Sequence, residues 1–166
     1  MIVLGIDFGD ARVGVATSDP QEILATSKET LNVTGVNDAV RKTAEAFRKY
    51  GAEKIVCGLP YNMNGSESFR AEKTRVFAEK LKEATGAEVL FEDERLSTVE
   101  AYTYMNAGNM KSGKRRSVVD AMSAQIILQS YLDAEANRRK QALQPVPADG
   151  APEGEPQNSE KEQKHS

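Results

Sequence analysis

Ile2-Val-Leu-Gly-Ile-Asp-Phe8 places its four largest side chains at alternate positions, and Val13-Gly-Val-Ala-Thr17 follows after a short interval. A period of two residues is typical of a β-strand that turns one face to a core. Gly9 and Asp10, between the two segments, favour a tight turn. The chain is therefore predicted to open with an antiparallel hairpin.

The rest of the chain alternates between helical and strand patterns. Apolar residues every three or four positions predict a helix over residues 36–49 and a second one up to Gly86, with Phe69, Val76, Phe77 and Leu81 as its apolar stripe. Short apolar runs predict strands at about 24–31, 54–58 and 88–92. Ser97-Thr-Val-Glu100 has the spacing of a capping box, which predicts a helix to about Asn106. A basic loop, 111–116, is expected to precede a last helix from Ser117 to about Arg139.

This order of elements predicts the fold class. Three consecutive strands favour an antiparallel meander, and the two later strands, each reached through a helix, favour parallel crossovers. We expect an α/β protein with a mixed five-stranded sheet and helices on both faces. Residues 1–140 form the predicted domain. Residues 141–166 are rich in Pro, Gly and polar side chains, and we expect them to be a disordered tail.

Charge and residue types narrow the possible functions. The net charge of −3 comes from the tail, because its five acidic and two basic residues leave 20 of each sign in residues 1–144. A neutral domain requires any nucleic-acid surface to be local. The chain's single histidine, His165, lies in the tail, so histidine-based catalysis and Cys/His zinc sites are not expected in the domain. Cys57 lies in an apolar run and is expected to be buried.

Asp7 is the first candidate catalytic residue. It is predicted to project from the first strand on the face that carries Gly5 and Gly9, which would leave open space around the carboxylate. An aspartate at a strand end also caps turns, and for this residue alone the two interpretations are equally good.

Asp120 is the second candidate. Helical spacing puts it on one face with Ala124, Ile127 and Tyr131, and this face is expected to be packed. A carboxylate on a packed face usually has a cation partner, because burial of an unpaired charge is costly. The alternative is an aspartate in the first helical turn, stabilised by the helix dipole.

Three successive acids, Glu92, Asp93 and Glu94, end the last predicted strand. A solvated turn accounts for them equally well when they are considered alone. Strand ends and a helix from one sheet can, however, converge on a single point. Three convergent carboxylates without histidine suit hard ions such as Mg²⁺ or Mn²⁺, and two such ions can support phosphodiester hydrolysis.

Four segments resemble the motif blocks of the YqgF/RuvX family, in order and with suitable spacing, across about residues 2–133. They are Leu4-Gly-Ile-Asp-Phe-Gly-Asp-Ala-Arg-Val-Gly-Val-Ala16, Gly58-Leu-Pro-Tyr-Asn-Met-Asn-Gly-Ser66, Asp93-Glu-Arg-Leu-Ser-Thr98 and Val119-Asp-Ala-Met-Ser-Ala124. The resemblance implies a ribonuclease H-like fold and a cytoplasmic bacterial nuclease. It implies a role in maturing the 5′ end of precursor 16S rRNA, which we favour, or in resolving Holliday junctions.

The resemblance also implies the site residues. Asp7, Glu94 and Asp120 match the metal-binding and catalytic acids, with Asp93 as a substitute for Glu94, and strand periodicity does not decide between those two. Within this frame the expected nucleic-acid contacts come from basic and amide side chains, namely Arg12, Asn62, Asn64, Arg95, Lys111, Lys114, Arg115 and Arg116. Solvated loop charges and turn chemistry are the alternatives for most of them.

Two other functions fit parts of the sequence. The turn after Asp7 also resembles the phosphate-binding turn of actin-like and sugar-kinase ATPases, but those enzymes need two lobes and the chain is too short for them. A non-catalytic module that binds RNA or a transcription complex is the other rival, which the neutral domain favours. The presence of acids at all three catalytic positions argues against it.

Overall fold

The computed structural model describes residues 1–62, 64–66, 68–93 and 112–143, with side chains in the last range from Val119 onward. These residues form five strands and three helices. The strands are β1 Val3–Phe8, β2 Arg12–Ser18, β3 Ala25–Asn32, β4 Lys54–Leu59 and β5 Glu88–Asp93. The helices are α1 Val36–Lys49, α2 Phe69–Thr85 and α3 Ser112–Leu143. The compact unit described below is Met1–Glu135, and Ala136 begins a second unit.

The strands form a single mixed sheet in the order β3-β2-β1-β4-β5. The first three strands are antiparallel neighbours, whereas β4 runs parallel to β1 and β5 runs parallel to β4. The predicted meander and the two crossovers are therefore confirmed. In the described part of the chain, no helix combines the length and the apolar character that crossing a membrane requires.

Two apolar layers cover the sheet, one on each face. Leu4, Ile6 and Phe8 of β1 pack with α1 and α2, while Val3 of β1 packs with Ile127 and Leu128 of α3. The side chains of a strand alternate between the faces, so Asp7 shares the α3 face with Val3 and Gly5. Helices lie on both faces as predicted. Cys57 is buried in the α1/α2 layer.

Two sequence predictions about the helices were wrong. The helix α3 begins at Ser112 instead of Ser117, so Lys114, Arg115 and Arg116 belong to its first turns and not to a loop before it. Lysine and arginine favour helices, and their charges hide the start of the apolar pattern. The predicted helix from Ser97 to Asn106 lies outside the described residues.

The second error concerns the apolar stripe of α2. Phe77 and Leu81 are fully buried as expected, but the side chains of Phe69 and Val76 are 85% and 46% exposed. The buried face instead uses the small residues Ala71, Thr74 and Ala78. Residues 69 and 76 lie seven positions apart, on the helix side opposite these small residues, because the helix repeats every 3.6 residues.

Candidate active site

Asp7 and Asp120 line one cavity at the carboxyl end of β1. The cavity has a volume of about 380 Å³, and Gly9, Arg12 and Arg70 also line it. Asp7 is partly buried near the end of its strand, and Asp120 is partly buried on α3. The structure thus brings together two of the three predicted acids, which lie 113 positions apart in the sequence.

A glycine on β2 explains how α3 comes so close to Asp7. Gly14 pairs with Asp7 across the β1–β2 ladder. A Cβ atom on Gly14 would overlap the backbone carbonyl of Asp120. Since only a hydrogen atom fits there, the helix backbone rests directly on the sheet beside the pair partner of Asp7. The role of Gly14 was not predicted from the sequence, although a Gly that interrupts a strand often marks such a close approach.

Gly5, two residues before Asp7 on β1, likewise lets α3 approach the sheet closely. The expectation that Gly5 leaves open space beside Asp7 was therefore wrong. A Cβ atom on Gly5 would lie 2.7 Å from Cβ of Leu128 and 3.1 Å from the carbonyl oxygen of Ala124. The space is therefore filled by α3. The open side of Asp7 is the cavity itself, toward the turn at Gly9.

Arg12 is the cation partner of Asp120. Its Nε donates to Oδ2 of Asp120 over 2.6 Å, and the two side chains are 33% and 22% exposed. Asp120 is the ninth residue of α3, so the dipole of the first helical turn does not account for it. The guanidinium supplies positive charge beside a partly buried carboxylate, as the sequence argument required.

The strand register separates the two described acids of the run at the end of β5. Cys57 of β4 lies level with Ile6 of β1 and with Phe91 of β5. One residue further along, Glu92 therefore lies on the Asp7 face of the sheet, two strands or about 10 Å away. Its Oε2 accepts a hydrogen bond from Oγ of Ser130 on α3 over 2.9 Å, which agrees with that orientation.

Asp93 is exposed and shares the opposite face with Val89 and Phe91, as the alternation in the sequence indicated. Glu94 and Arg95 lie outside the described residues. Within the described ranges, no three His, Cys, Asp or Glu side chains are arranged to hold a metal ion. The described part of the site therefore contains the pair Asp7 and Asp120, and the third acid stays a prediction.

Arg70 was missed by the sequence analysis. It lies in the first turn of α2, lines the cavity and donates from Nη2 to the carbonyl oxygen of Phe8 over 3.2 Å. The sequence did contain one signal for it, because a basic residue follows closely after the polar loop that comes after β4. Two guanidinium groups, from Arg12 and Arg70, therefore flank the two carboxylates, an arrangement that suits a phosphate group near bound cations.

The remaining predicted nucleic-acid contacts are placed less directly. Asn62 Nδ2 donates to Oγ of Ser66 over 3.1 Å, and Asn64 Oδ1 accepts from the Ser66 N–H over 3.0 Å. Both amides thus stabilise the turn after β4, as the turn-chemistry alternative expects. Lys111 lies outside the described residues, and Lys114, Arg115 and Arg116 are placed only as backbone within α3.

The model of one protein family matches residues 1–134, the span that contains the sheet, the cavity and both described acids. This family is RuvX, described as Holliday junction resolvase. The chain belongs to the RuvX family. The resemblance noted from its four motif blocks is therefore confirmed.

Curated relatives of this RuvX chain carry the name "Putative pre-16S rRNA nuclease". One from Caldanaerobacter subterraneus subsp. tengcongensis is 44% identical over 138 residues, which cover 82% of this chain and 99% of the relative. One from Pelotomaculum thermopropionicum is 42% identical over 143 residues, which cover 86% of this chain and 93% of the relative. The expectation of a nuclease agrees with these names.

Solved structures confirm the ribonuclease H-like fold of this RuvX chain. Thermus thermophilus RuvC in complex with a Holliday junction substrate aligns with a TM-score of 0.52 at 14% identity, covering 82% of this chain and 96% of that one. The fowlpox virus resolvase in complex with Holliday junction DNA aligns with a TM-score of 0.53 at 10% identity, covering 81% and 99%. At these identities the likeness shows the fold alone.

Proposed function

We propose that this protein is a metal-dependent endonuclease that hydrolyses phosphodiester bonds during the 5′-end maturation of precursor 16S rRNA in the cytoplasm. The observation that carries the proposal is the shared cavity of Asp7 and Asp120, flanked by Arg12 and Arg70. The names of relatives about 40% identical along nearly their whole length support the rRNA substrate.

The donor set suits Mg²⁺ or Mn²⁺. Hard divalent ions prefer carboxylate oxygens, and Asp7 and Asp120 present such oxygens to one cavity, whose described lining contains no histidine or thiol. We assign Asp7, Asp120 and Glu94 as the residues that hold a two-ion site. Asp93 stays the substitute for Glu94, although Asp93 shares the face of Val89 and Phe91, opposite to that of Asp7. Bound ions of this kind activate water and stabilise the leaving oxygen of a phosphodiester.

The basic side chains position the substrate in this proposal. Arg70 is held beside the cavity by the Phe8 carbonyl, and its remaining N–H groups suit a phosphate. Among the described residues, Arg12 bonds Asp120 through Nε, and the two terminal nitrogens of its planar group suit a second partner. We assign further contacts along the bound strand to Asn62, Asn64, Arg95, Lys111, Lys114, Arg115 and Arg116. We place the catalytic domain within residues 1–140, and we give the polar tail from 141 to 166 no part in cleavage.

A second candidate function is the resolution of Holliday junctions, which the description of the matching family model favours. The same carboxylates and the same ions would serve both reactions, since both hydrolyse a phosphodiester bond. The two functions differ in the shape of the substrate and not in the chemistry of the site.

One experiment tests both candidates. The purified protein is incubated with a labelled fragment of precursor 16S rRNA that spans the mature 5′ end and, separately, with a synthetic four-way DNA junction, in Mg²⁺, in Mn²⁺ or in a chelator. We expect ion-dependent cleavage of the RNA at one or a few positions. Preferential cleavage of the junction would transfer the proposal to the second candidate.

Matched variants on α3 and β1 test the site. Asp7→Asn and Asp120→Asn are expected to lower the cleavage rate by at least about a hundredfold, because each removes a ligand charge. Asp133→Asn makes the same chemical change at an exposed position of α3 and is expected to cut like the parent. Cleavage in the chelator, or equal rates for Asp7→Asn and the parent, would refute the mechanism.

A further inference from the structure

A second, larger cavity adjoins the candidate active site on the α1/α2 side of the sheet. Its volume is about 680 Å³, within the range of pockets that bind small molecules. Its apolar lining comes mainly from Phe8, Val36, Phe69 and Val76. The proposed function does not use this cavity.

The helix α2 carries an aromatic side chain that lies outside the hydrophobic core. Phe69 is 85% exposed, while the core contacts of the helix come from Phe77 and Leu81, which lie farther round its circumference. Helical spacing places Lys73 and Lys80 on the side of Phe69, at four and eleven residues beyond it. An exposed aromatic ring beside cationic side chains is typical of surfaces that bind single-stranded nucleic acid.

The two cavities share part of their lining. Phe8 and Asp10, which belong to β1 and the turn after it, line both of them. Two adjacent residues at the start of α2 line different cavities: Arg70 lines the acidic one and Phe69 lines the apolar one. A strand whose phosphate lies at Asp7 and Arg70 therefore has a direct path over this turn into the apolar cavity.

Lys73 supplies a cation at the rim. Its Nζ lies 3.6 Å from Oδ1 of Asp10, with the two side chains 57% and 71% exposed. A pair that exposed contributes little to stability, so the lysine is able to exchange Asp10 for a phosphate. Asp10 and Glu72 also line the cavity. Because these acids offset the local positive charge, stacking on the ring has to supply most of the affinity.

We propose that this cavity binds one unpaired base of the substrate strand, stacked on Phe69, with Lys73 at the adjoining phosphate. The inference rests on the proposed function in taking the strand to be RNA that lies across the acidic cavity. A base in a duplex has both faces covered by its neighbours, so an aromatic residue in a cavity selects an unpaired nucleotide.

The test measures binding and stacking without cleavage. A fluorescent single-stranded RNA and its duplex form are titrated with the protein in a chelator, and 2-aminopurine is placed at successive positions of the strand. Stacking by one aromatic side chain supports an expected loss of about tenfold in single-strand affinity for Phe69→Ala. Phe69→Tyr is expected to retain the affinity, and duplex affinity is expected to change by less than about twofold. One 2-aminopurine position is expected to lose fluorescence on binding to the parent but not to Phe69→Ala.

Leu24→Ala is the matched control, since Leu24 is a large apolar side chain, 61% exposed, on the turn between β2 and β3. It is expected to bind RNA like the parent. Equal RNA affinity of Phe69→Ala and the parent, or equal fluorescence at every position, would overturn the inference. Loss of self-association in Phe69→Ala with unchanged RNA binding would assign the cavity to a second copy of the chain and would also overturn it.

The failure of this inference is distinguishable from failure of the proposed function. If the parent cleaves precursor rRNA and Phe69→Ala binds and cleaves equally well, only the base-binding inference fails. If the parent shows Phe69-dependent binding and quenching but never cleaves, only the nuclease proposal fails.

Discussion

Gly14 of β2 lies against the backbone carbonyl of Asp120 on α3 so closely that no larger residue fits between them. Gly14 is also the cross-strand partner of Asp7. One residue without a side chain therefore sets the separation between the strand that carries one acid and the helix that carries the other.

Gly14→Ala is expected to destabilise the protein by about 2 kcal/mol or more, because the obstacle is backbone and cannot move aside by changing rotamer. It is also expected to reduce cleavage by displacing Asp120. Chemical denaturation gives the free energy of unfolding. Thr26→Ala, at an exposed position of β3, is the control and should change it by less than about 0.5 kcal/mol. Parent-like stability of Gly14→Ala would show that α3 does not rest on the sheet at this point.

The Arg12–Asp120 pair is expected to contribute about 1 kcal/mol of coupling, as partly exposed pairs do. A double-mutant cycle with Arg12→Ala and Asp120→Asn measures this coupling from free energies of unfolding. Arg12→Lys should recover only part of it, because an ammonium group lacks the planar geometry of the Nε donor. Additive effects of the two substitutions would mean that the pair contributes nothing.

Divalent ions are expected to stabilise the folded protein, since a ligand that binds only the native state raises its stability. Thermal unfolding in increasing Mg²⁺ or Mn²⁺ should give a midpoint that rises for the parent and stays constant for Asp7→Asn. Asp133→Asn should respond like the parent. An equal rise in Asp7→Asn would place the ions elsewhere on the surface. This readout does not depend on any substrate.

Glu29, Tyr50 and Lys49 form a cluster that predicts how stability varies with pH. The Tyr50 hydroxyl donates to Oε2 of Glu29 over 2.6 Å, and this bond, followed by Lys49, lowers the pKa of Glu29 below its ordinary value of 4.5. A carboxyl group whose pKa is lowered by folding stabilises the folded protein at pH values above its ordinary pKa. This contribution is lost as the pH falls through the lowered pKa of the folded state. We expect less than about 1 kcal/mol from a partly exposed group.

Denaturation at a series of pH values from about 6 to about 3 measures that loss, and Tyr50→Phe should reduce it. Thr26→Ala serves again as a control, because it removes no partner of Glu29. A pH dependence that is the same in Tyr50→Phe and in the parent would contradict the assigned cause of the lowered pKa.

Local pattern determined much of this protein from the sequence alone. The alternation in β1 placed Asp7 opposite its apolar neighbours, and the helical period placed Asp120 with Ile127 and Tyr131, both of which are buried. The motif blocks gave the family, and the succession of strands and helices gave the mixed sheet. These features follow from the fixed periods of strands and helices, which every short segment carries in itself.

The tertiary structure decided which residues meet. Phe69 and Phe77 are both apolar residues of α2, yet packing against the sheet buries only Phe77. The β4–β5 register places Glu92 on the Asp7 face of the sheet and Asp93 on the other face. Gly14 and Arg12 contact Asp120 only because α3 packs across the sheet. A segment's own periodicity fixes which of its side chains share a face, but only long-range packing fixes what that face touches.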